Sequence, residues 1–294
     1  MMMTNNSLAE VKQVFLDSDK FLISSHVSPD GDNIGSVLAA QFILDQLGKE
    51  SQIILPDPVP ESFSFLPAEE TIVEYSPELE AEWETVLALD CGDRERLGVV
   101  NELVDEQVII NVDHHQDNTY FGDYNLVKEA AATAELLYQL IKELSGVNLT
   151  ADLAWVLATA VITDTGSFKY ENTTSQTHRM MADLLDYEIN PTYINRQIFG
   201  TNSYESLLLR GAVLDTLQVS SSGQAAWVVV EESMLDEIGA TKEDTEGLVG
   251  YPRSLKGAEV GVLFKERAAG EVKVSLRSNE YLPVNEVAHK FGGG

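Results

Sequence analysis

Along the first half of the chain, apolar residues fall in short runs, each followed by a stretch of helical period. Residues 21–25, 52–55, 85–89 and 108–112 are near-continuous apolar runs of strand length. Residues 31–47, 130–144 and 153–163 carry apolar positions at helical spacing. Strands alternating with helices predict βαβ units and a mostly parallel sheet with helices on both faces, in which ligands gather beyond the carboxyl ends of the strands. The pattern loosens over 186–202, where Pro191 and the polar stretch 200–203 predict an interdomain linker at 189–203. Beyond it, a helix over 204–217, strands at 226–230, 259–264 and 272–277, and a helix over 284–291 predict a smaller α+β unit. The expected fold class is α/β, with a first domain over 1–188 and a second over 204–294. Met180 and Met181 fall on a helical pattern and are expected to pack in the core.

Four polar blocks interrupt this pattern. The first, His26-Val27-Ser28-Pro29-Asp30-Gly31-Asp32, follows a predicted strand and opens a helix. A His and two Asp in a loop shaped by Pro and Gly can converge on a hard cation, while the plainer alternative is a turn plus a helix N-cap. Asp90 directly follows an apolar run, at the ligand-binding edge of the sheet; a strand-ending Asp is also common in proteins. Asp113-His114-His115 follows another apolar run, and the neighbouring imidazoles point in different directions, so one can ligate metal while the other faces substrate. A chance surface pair is the alternative. Asp164 ends an apolar helix before Gly166 and Phe168, where the helix dipole disfavours a carboxylate and so hints at a nearby cation. Three of the five His fall in these blocks. The oxygen-rich donor set with some imidazole suits Mn²⁺ or Mg²⁺ over Zn²⁺.

Charge and composition narrow the function classes. The 294 residues hold 19 Lys and Arg against 48 Asp and Glu, a net charge of −29. Such a surface repels long nucleic acid and anionic membranes, and an anionic ligand then requires metal ions or a few placed cations. Hydrophobic residues make up 44%, enough for a sizeable core, yet no apolar run approaches the roughly 20 residues that span a bilayer. The first ten residues carry no secretory pattern, and the single Cys91 excludes an intrachain disulfide and a thiolate-rich zinc site. A cytoplasmic enzyme is expected.

The four blocks, in this order, resemble the DHH phosphoesterase superfamily, whose triplet stands here as Asp113-His114-His115. The stretches Ser275-Leu276-Arg277-Ser278 and His289-Lys290-Phe291-Gly292-Gly293-Gly294 are similar to the family's associated C-terminal domain. The pattern most resembles the branch that hydrolyses short oligoribonucleotides and 3′-phosphoadenosine 5′-phosphate (pAp). The resemblance implies a five-stranded parallel core, a mixed sheet in the second domain and an active site in the cleft between. It implies two divalent metal ions, Mn²⁺ first and Mg²⁺ as the alternative. His26, Asp30 and Asp90 would hold one; Asp32, Asp90, His114 and Asp164 would hold the other. His115 would face the reacting phosphate and Asp113 would orient its neighbours. Arg277, Ser278, His289 and Gly292–Gly294 would bind substrate, with Arg253, Arg96 and Phe168 as weaker candidates. The family's glycine run continues to another Gly and a phosphate-contacting His, whereas this sequence stops at Gly294, so the second domain is expected to be clipped or to lack a final strand and helix.

The expected partners are di- to pentanucleotides or small nucleotides, with no long nucleic acid and no membrane; a homodimer stays open. Two rival readings remain. One is a phosphodiesterase of cyclic or linear dinucleotides; the related pyrophosphatase branch is disfavoured because its basic C-terminal signature is not visible. The other is a nucleotide-binding sensor that has lost catalysis.

Overall fold

The computed structural model describes residues 5–79, 83–267 and 270–293. The chain divides into two compact units, Met1–Gly200 and Thr201–Gly294. In chain order the first unit contains α1 (Leu8–Asp17), β1 (Lys20–Ser24), α2 (Gly31–Gln46), β2 (Glu50–Leu55), β3 (Ile72–Glu74), β4 (Thr85–Leu89), β5 (Val108–Asp113), β6 (Tyr124–Val127), α3 (Thr133–Glu143), α4 (Ala151–Asp164), α5 (Ser175–Leu185) and α6 (Pro191–Asn195). A 3₁₀ segment, Arg94–Leu103, kinks at Gly98 between β4 and β5.

The strands pair in parallel throughout, in the order β3-β2-β1-β4-β5-β6. The sheet therefore has six strands, against the five that the resemblance implied. The short edge strands β3 and β6 carry too few residues for a period-2 pattern to stand out. Alternate residues feed opposite faces, as strand geometry requires. Phe21, Ile23, Leu87, Leu89, Ile110 and Val112 enter the main core beneath the α-helices. Leu22, Val86, Ala88 and Ile109 pack on the other face with Leu97 and Val100 of the 3₁₀ segment. Helix covers both faces, but unequally. Being apolar on both sides, these strands read as unbroken hydrophobic runs.

Chain order reverses at β1, with β2 on one side and β4 on the other. Such a reversal opens a crevice at the carboxyl ends of the strands. Helix α2 leaves β1 there and packs on α4 through Gly31 and Gly35. A Cβ at Gly35 would lie 2.6 Å from the Val156 carbonyl oxygen and 2.8 Å from the Ala160 Cβ, and one at Gly31 would collide with Thr163. These two glycines let the start of α2 reach the end of α4.

The second unit contains α7 (Tyr204–Asp215), β7 (Gln218–Val219), β8 (Ala225–Val230), α8 (Glu232–Ile238), α9 (Gly250–Arg253), β9 (Val260–Arg267), β10 (Glu271–Ser278) and α10 (Val284–His289). Its sheet runs β10-β9-β8-β7, with β8 and β9 parallel and the other pairs antiparallel. Leu209, Val213, Val228, Val230, Leu235, Leu248 and Leu263 form its core. Two expectations are corrected here. The segment 189–203, expected as a linker, holds α6 and a π-turn at Arg196–Gly200, and Ile194 is fully buried in the first unit's core. Pro191 starts this helix at N1 instead of breaking one. The last helix stops at His289, two residues before the expected end. Met180 and Met181 are buried on α5, as expected. Among the described residues, no helix is long and apolar enough to cross a membrane.

Filling the α2–α4 contact should be costly. Gly35→Leu should destabilise the protein by about 1–3 kcal/mol, read as a lower urea midpoint at an unchanged m-value.

Candidate metal centre

Each of the four polar blocks ends an element that converges on the crevice. The loop after β1 carries His26 and leads into α2, whose N-cap is Asp30. The Asp30 Oδ1 accepts from the amides of Asp32 and Asn33 at 3.1 Å each, leaving Oδ2 3.9 Å from His26 Nε2. Asp30 therefore caps α2 with one oxygen and keeps the other available beside His26. Asp90 follows β4, His114 follows Asp113 at the end of β5, and Asp164 is the last residue of α4.

Three groups of donor atoms form there, each with all its members within 4.8 Å of one another: His26, Asp30 and Asp90; Asp32, His114 and Asp164; and Asp90, His114 and His115. Asp90 belongs to the first and third groups and His114 to the second and third, so these two residues link all three. Asp90 Oδ2 lies 3.4 Å from His26 Nε2, and its Oδ1 lies 3.5 Å from His114 Nε2 and 3.7 Å from His115 Nδ1. His114 Nε2 is also 3.8 Å from Asp32 Oδ2 and 3.7 Å from Asp164 Oδ2.

Backbone groups fix which imidazole nitrogen faces the centre. His26 Nδ1 lies 2.7 Å from the Val27 carbonyl and His114 Nδ1 lies 3.2 Å from the Ala130 carbonyl, so in each ring Nδ1–H donates outward and Nε2 keeps its lone pair inward. The start of α3 points at Asp32. The Thr133 amide donates to Asp32 Oδ2 at 2.6 Å and the Ala134 amide to Oδ1 at 3.1 Å; Ser36 Oγ adds a third bond at 3.0 Å. Thr133 Oγ1 donates to Asp90 Oδ1 at 3.1 Å.

Asp32 and Asp90 are 1% and 2% exposed. Burial, with the charges of Asp90 and Asp164, pushes the Asp32 carboxyl well above its ordinary range. Burial pushes Asp90 upward as well, but the His26 hydrogen bond and the His114, His26 and His115 charges outweigh it and hold that carboxyl low. Burial raises Asp164 from 3.8 to about 6, against the opposing charge of His114. Among the described residues, no Lys or Arg pairs with these four carboxylates; only imidazoles do. Clustered buried carboxylates without cationic side chains, ringed by aligned imidazole Nε2 atoms, fit divalent cations that accept oxygen and nitrogen donors.

The remaining site residues divide. Asp113 is fully buried and accepts from His115 Nδ1 at 2.7 Å and from Asn118 Nδ2 at 2.5 Å. Asn118 also bonds Asn111, which in turn donates to the Ala88 and Cys91 carbonyls. The hydrogen bond that His115 donates to Asp113 lifts His115 to about 9, above the opposing effects of burial and the Arg96 charge. Arg96 lies half-buried in the 3₁₀ segment, and its carbonyl accepts from the Val27 amide at 2.8 Å. Phe168 packs against the main core and the His178 ring, with centroids 5.3 Å apart. Its place is the core.

In the second unit, Arg277 is exposed on β10 and donates to its own neighbour's carbonyl, that of Leu276. It lines a cavity of about 340 Å³ with Lys242, Lys265, Arg267 and Lys273. Ser278 is half-buried beside it on β10. His289 is exposed at the end of α10, and the amides of Gly292 and Gly293 bond back to the His289 and Ala288 carbonyls. Those two N–H groups close a helix-ending turn instead of facing a ligand. Gly294 lies outside the described residues. The Arg253 carbonyl accepts from Asn279 Nδ2, and its backbone packs on Gly261.

Sequence reasoning missed Thr133, Asn111, Asn118, Glu135 and Asn172. Each acts through hydrogen bonds, and a polar residue in a loop or first helical turn carries no periodic signal. Asn118, three residues beyond the His pair, was the one most open to detection.

Residues 20–163 match the profile of the DHH family, N-terminal domain. The chain is 38% identical over 276 residues to the bifunctional oligoribonuclease and PAP phosphatase NrnA of Thermus thermophilus, spanning 92% of this chain and 80% of that one. The chain belongs to the DHH family. The Bacillus subtilis protein of the same name is 26% identical, over 94% of this chain and 86% of the other. Among solved structures, an exopolyphosphatase-related protein of Bacteroides fragilis superposes with a TM-score of 0.91 at 28% identity, covering 98% of this chain and 88% of that one. The DHH profile ends one residue short of Asp164, so it takes in every other residue of the three donor groups.

The raised Asp164 carboxyl has a signed consequence in the metal-free protein. Its folded state holds a proton that the unfolded chain releases near 3.8, so stability falls as pH rises from about 4 to about 6 and stays lower above. Metal-free Asp164→Asn, uncharged throughout, should therefore melt higher than metal-free wild type near pH 8, and the two should converge near pH 4. Differential scanning calorimetry after chelation reads this difference.

Proposed function

We propose that the protein is a two-metal phosphoesterase that hydrolyses short oligoribonucleotides to nucleoside monophosphates and pAp to AMP. The observation that carries this reading is the pair of donor groups joined by Asp90. His26, Asp30 and Asp90 would hold one cation, and Asp32, Asp90, His114 and Asp164 the other. Mn²⁺ suits this mixture of carboxylate and imidazole, with Mg²⁺ second. When bound, such cations supply Lewis-acid charge and an activated water for in-line attack on phosphorus.

The chain's own groups account for the rest. Asp90 uses separate oxygens toward His26 and His114, so it can hold two centres at a fixed spacing. Asp113 accepts from Nδ1 of His115, which leaves the ring's other nitrogen, Nε2, as the one that could meet substrate. The Asp113 hydrogen bond raises the His115 pKa in the metal-free protein and so favours its protonated form. That form can balance charge on a phosphoryl oxygen and donate a proton to the departing ribose oxygen. The relatives named for oligoribonuclease and PAP phosphatase activity support the substrate class.

The cavity around Arg277 supports a phosphate-bearing substrate. Lys265 reaches it beside Lys273, and the nearby charges of Lys273, Arg267 and Lys242, after burial, hold its ammonium below the ordinary range. Glu243 and Glu246 also line the cavity, but its five cationic side chains outnumber them and favour an anion there. Arg277 offers a planar fork to a terminal phosphate.

A manganese-supplemented assay should compare pAp, linear diadenylate, cyclic diadenylate, a pentaribonucleotide and pyrophosphate. The expected products are AMP from pAp and monophosphates from the short RNAs. Turnover of pyrophosphate alone would overturn the reading. Asp90→Ala and His114→Ala should each lower kcat more than about hundredfold, since bound metal contributes several kcal/mol to the barrier. Arg277→Ala should raise KM about tenfold or more with little change in kcat, the effect of losing one charge-assisted hydrogen bond.

A further inference from the structure

The segment Ala130–Ala134 touches the metal centre at four points, yet it contributes no proposed ligand itself. The Ala130 carbonyl receives His114 Nδ1, the Thr133 and Ala134 amides bind Asp32, and Thr133 Oγ1 binds Asp90. Its conformation therefore sets the orientation of three of the proposed ligands. Between these contacts lies the Ala131 residue, fully buried and held from both sides. Its amide donates to Glu135 Oε2 at 2.8 Å, and its carbonyl accepts from Asn172 Nδ2 at 2.9 Å. Asn172 Nδ2 also donates to the Asp164 carbonyl at 3.0 Å and to Asp164 Oδ2 at 3.2 Å.

We propose that Asn172 and Glu135 are positioning residues that clasp the Ala131 backbone and thereby set the Asp32, His114 and Asp164 group for metal. The inference rests on the two-cation reading above. Asn172 faces three acceptors at once, which fixes its amide with nitrogen toward the centre. It does so although its Oδ1 is buried and has no partner. Glu135 is 2% exposed, and its Oε1 is likewise buried without a partner. Two side chains from different elements thus hold one backbone group from opposite sides, its amide and its carbonyl. Neither residue contacts His26 or Asp30, so the clasp bears directly on the Asp32, His114 and Asp164 group and reaches the other position only indirectly, through Thr133 and the shared Asp90.

Titration of the metal-free full chain with Mn²⁺ alone, followed by calorimetry and by the Mn²⁺ paramagnetic resonance signal, tests this. Wild type should bind two ions. Asn172→Ala should weaken one site by about tenfold to hundredfold, the range for outer groups that orient ligands, and leave the other within about twofold. Glu135→Ala should weaken the same site, whereas Glu135→Gln, which keeps a carbonyl oxygen for the Ala131 amide, should restore it. In an Asp164→Asn background, Asn172→Ala should add less than in the wild type, because both act on one ligand.

A purely structural role would lower the melting temperature and leave both affinities unchanged, or reduce them equally; either result overturns the clasp. If Asn172→Ala fails to fold, the contrast between Glu135→Ala and Glu135→Gln decides the question. A wild-type protein that binds a single Mn²⁺ overturns the two-cation reading, and the clasp with it.

Discussion

Four carboxylates brought into one crevice, two of them almost without solvent, are the constraint from which the first unit follows. Asp32 and Asp90 cannot both stay ionised there on the strength of packing. The fold manages them by surrounding each with oriented donors: the first amides of α3 on Asp32, and imidazoles on Asp90. The topology supplies the meeting point, since β1 and β4 are neighbours whose chains leave in opposite senses. Gly31 and Gly35 supply the last few ångströms by letting α2 lie against α4. A larger side chain at either position would separate Asp30 and Asp32 from Asp164 before it disturbed any charge.

The same centre concentrates backbone strain. Ser28, Asp90, Ser167 and Phe168 all have positive φ, at 57°, 51°, 61° and 65°, in a region that non-glycine residues seldom occupy. Ser28 lies in the His26 loop, Asp90 is itself a proposed ligand, and the other two follow Asp164. Each such residue costs about 1–3 kcal/mol, and such costs persist where the surroundings over-determine the conformation. Here the surroundings are hydrogen bonds: Val27 to Arg96, Asp90 to Val112, and Ser167 to Ile162. Rigid loops hold donor atoms at fixed separations, which a centre of stringent geometry requires.

Much of this was legible in the amino-acid sequence, for a physical reason. Strands buried on both faces read as continuous apolar runs, so β4 was located at 85–89 with its observed limits, and β1, β2 and β5 to within two residues at either end. The proposed ligands stand where those runs stop, so Asp90 and His114 announced themselves by position. The edge strands β3 and β6 stayed hidden because three or four residues cannot display a period. Pro191 was read as a break because proline excludes helix interiors, yet it starts a helix equally well. Asn172, Glu135 and Thr133 were invisible for another reason. Their importance lies in hydrogen bonds that join residues remote in the chain, and no local pattern encodes these. The glycines after His289 misled in the opposite sense, since a glycine-rich stretch suits both an anion site and a helix-ending turn.

The cavity that gathers Lys242, Lys265, Arg267, Lys273 and Arg277 sits on a chain of net charge −29. Fields of opposite sign therefore operate at different ranges. Within a Debye length, about 8 Å at physiological ionic strength, a phosphate at the cavity meets mainly cations. If the cavity binds phosphate as proposed, a longer polyanion would carry its remaining phosphates into the field of the net negative charge, each adding repulsion instead of purchase. Discrimination by length would then need no wall at the end of a groove. It would arise from the contrast between a small attractive spot and the large repulsive body that carries it.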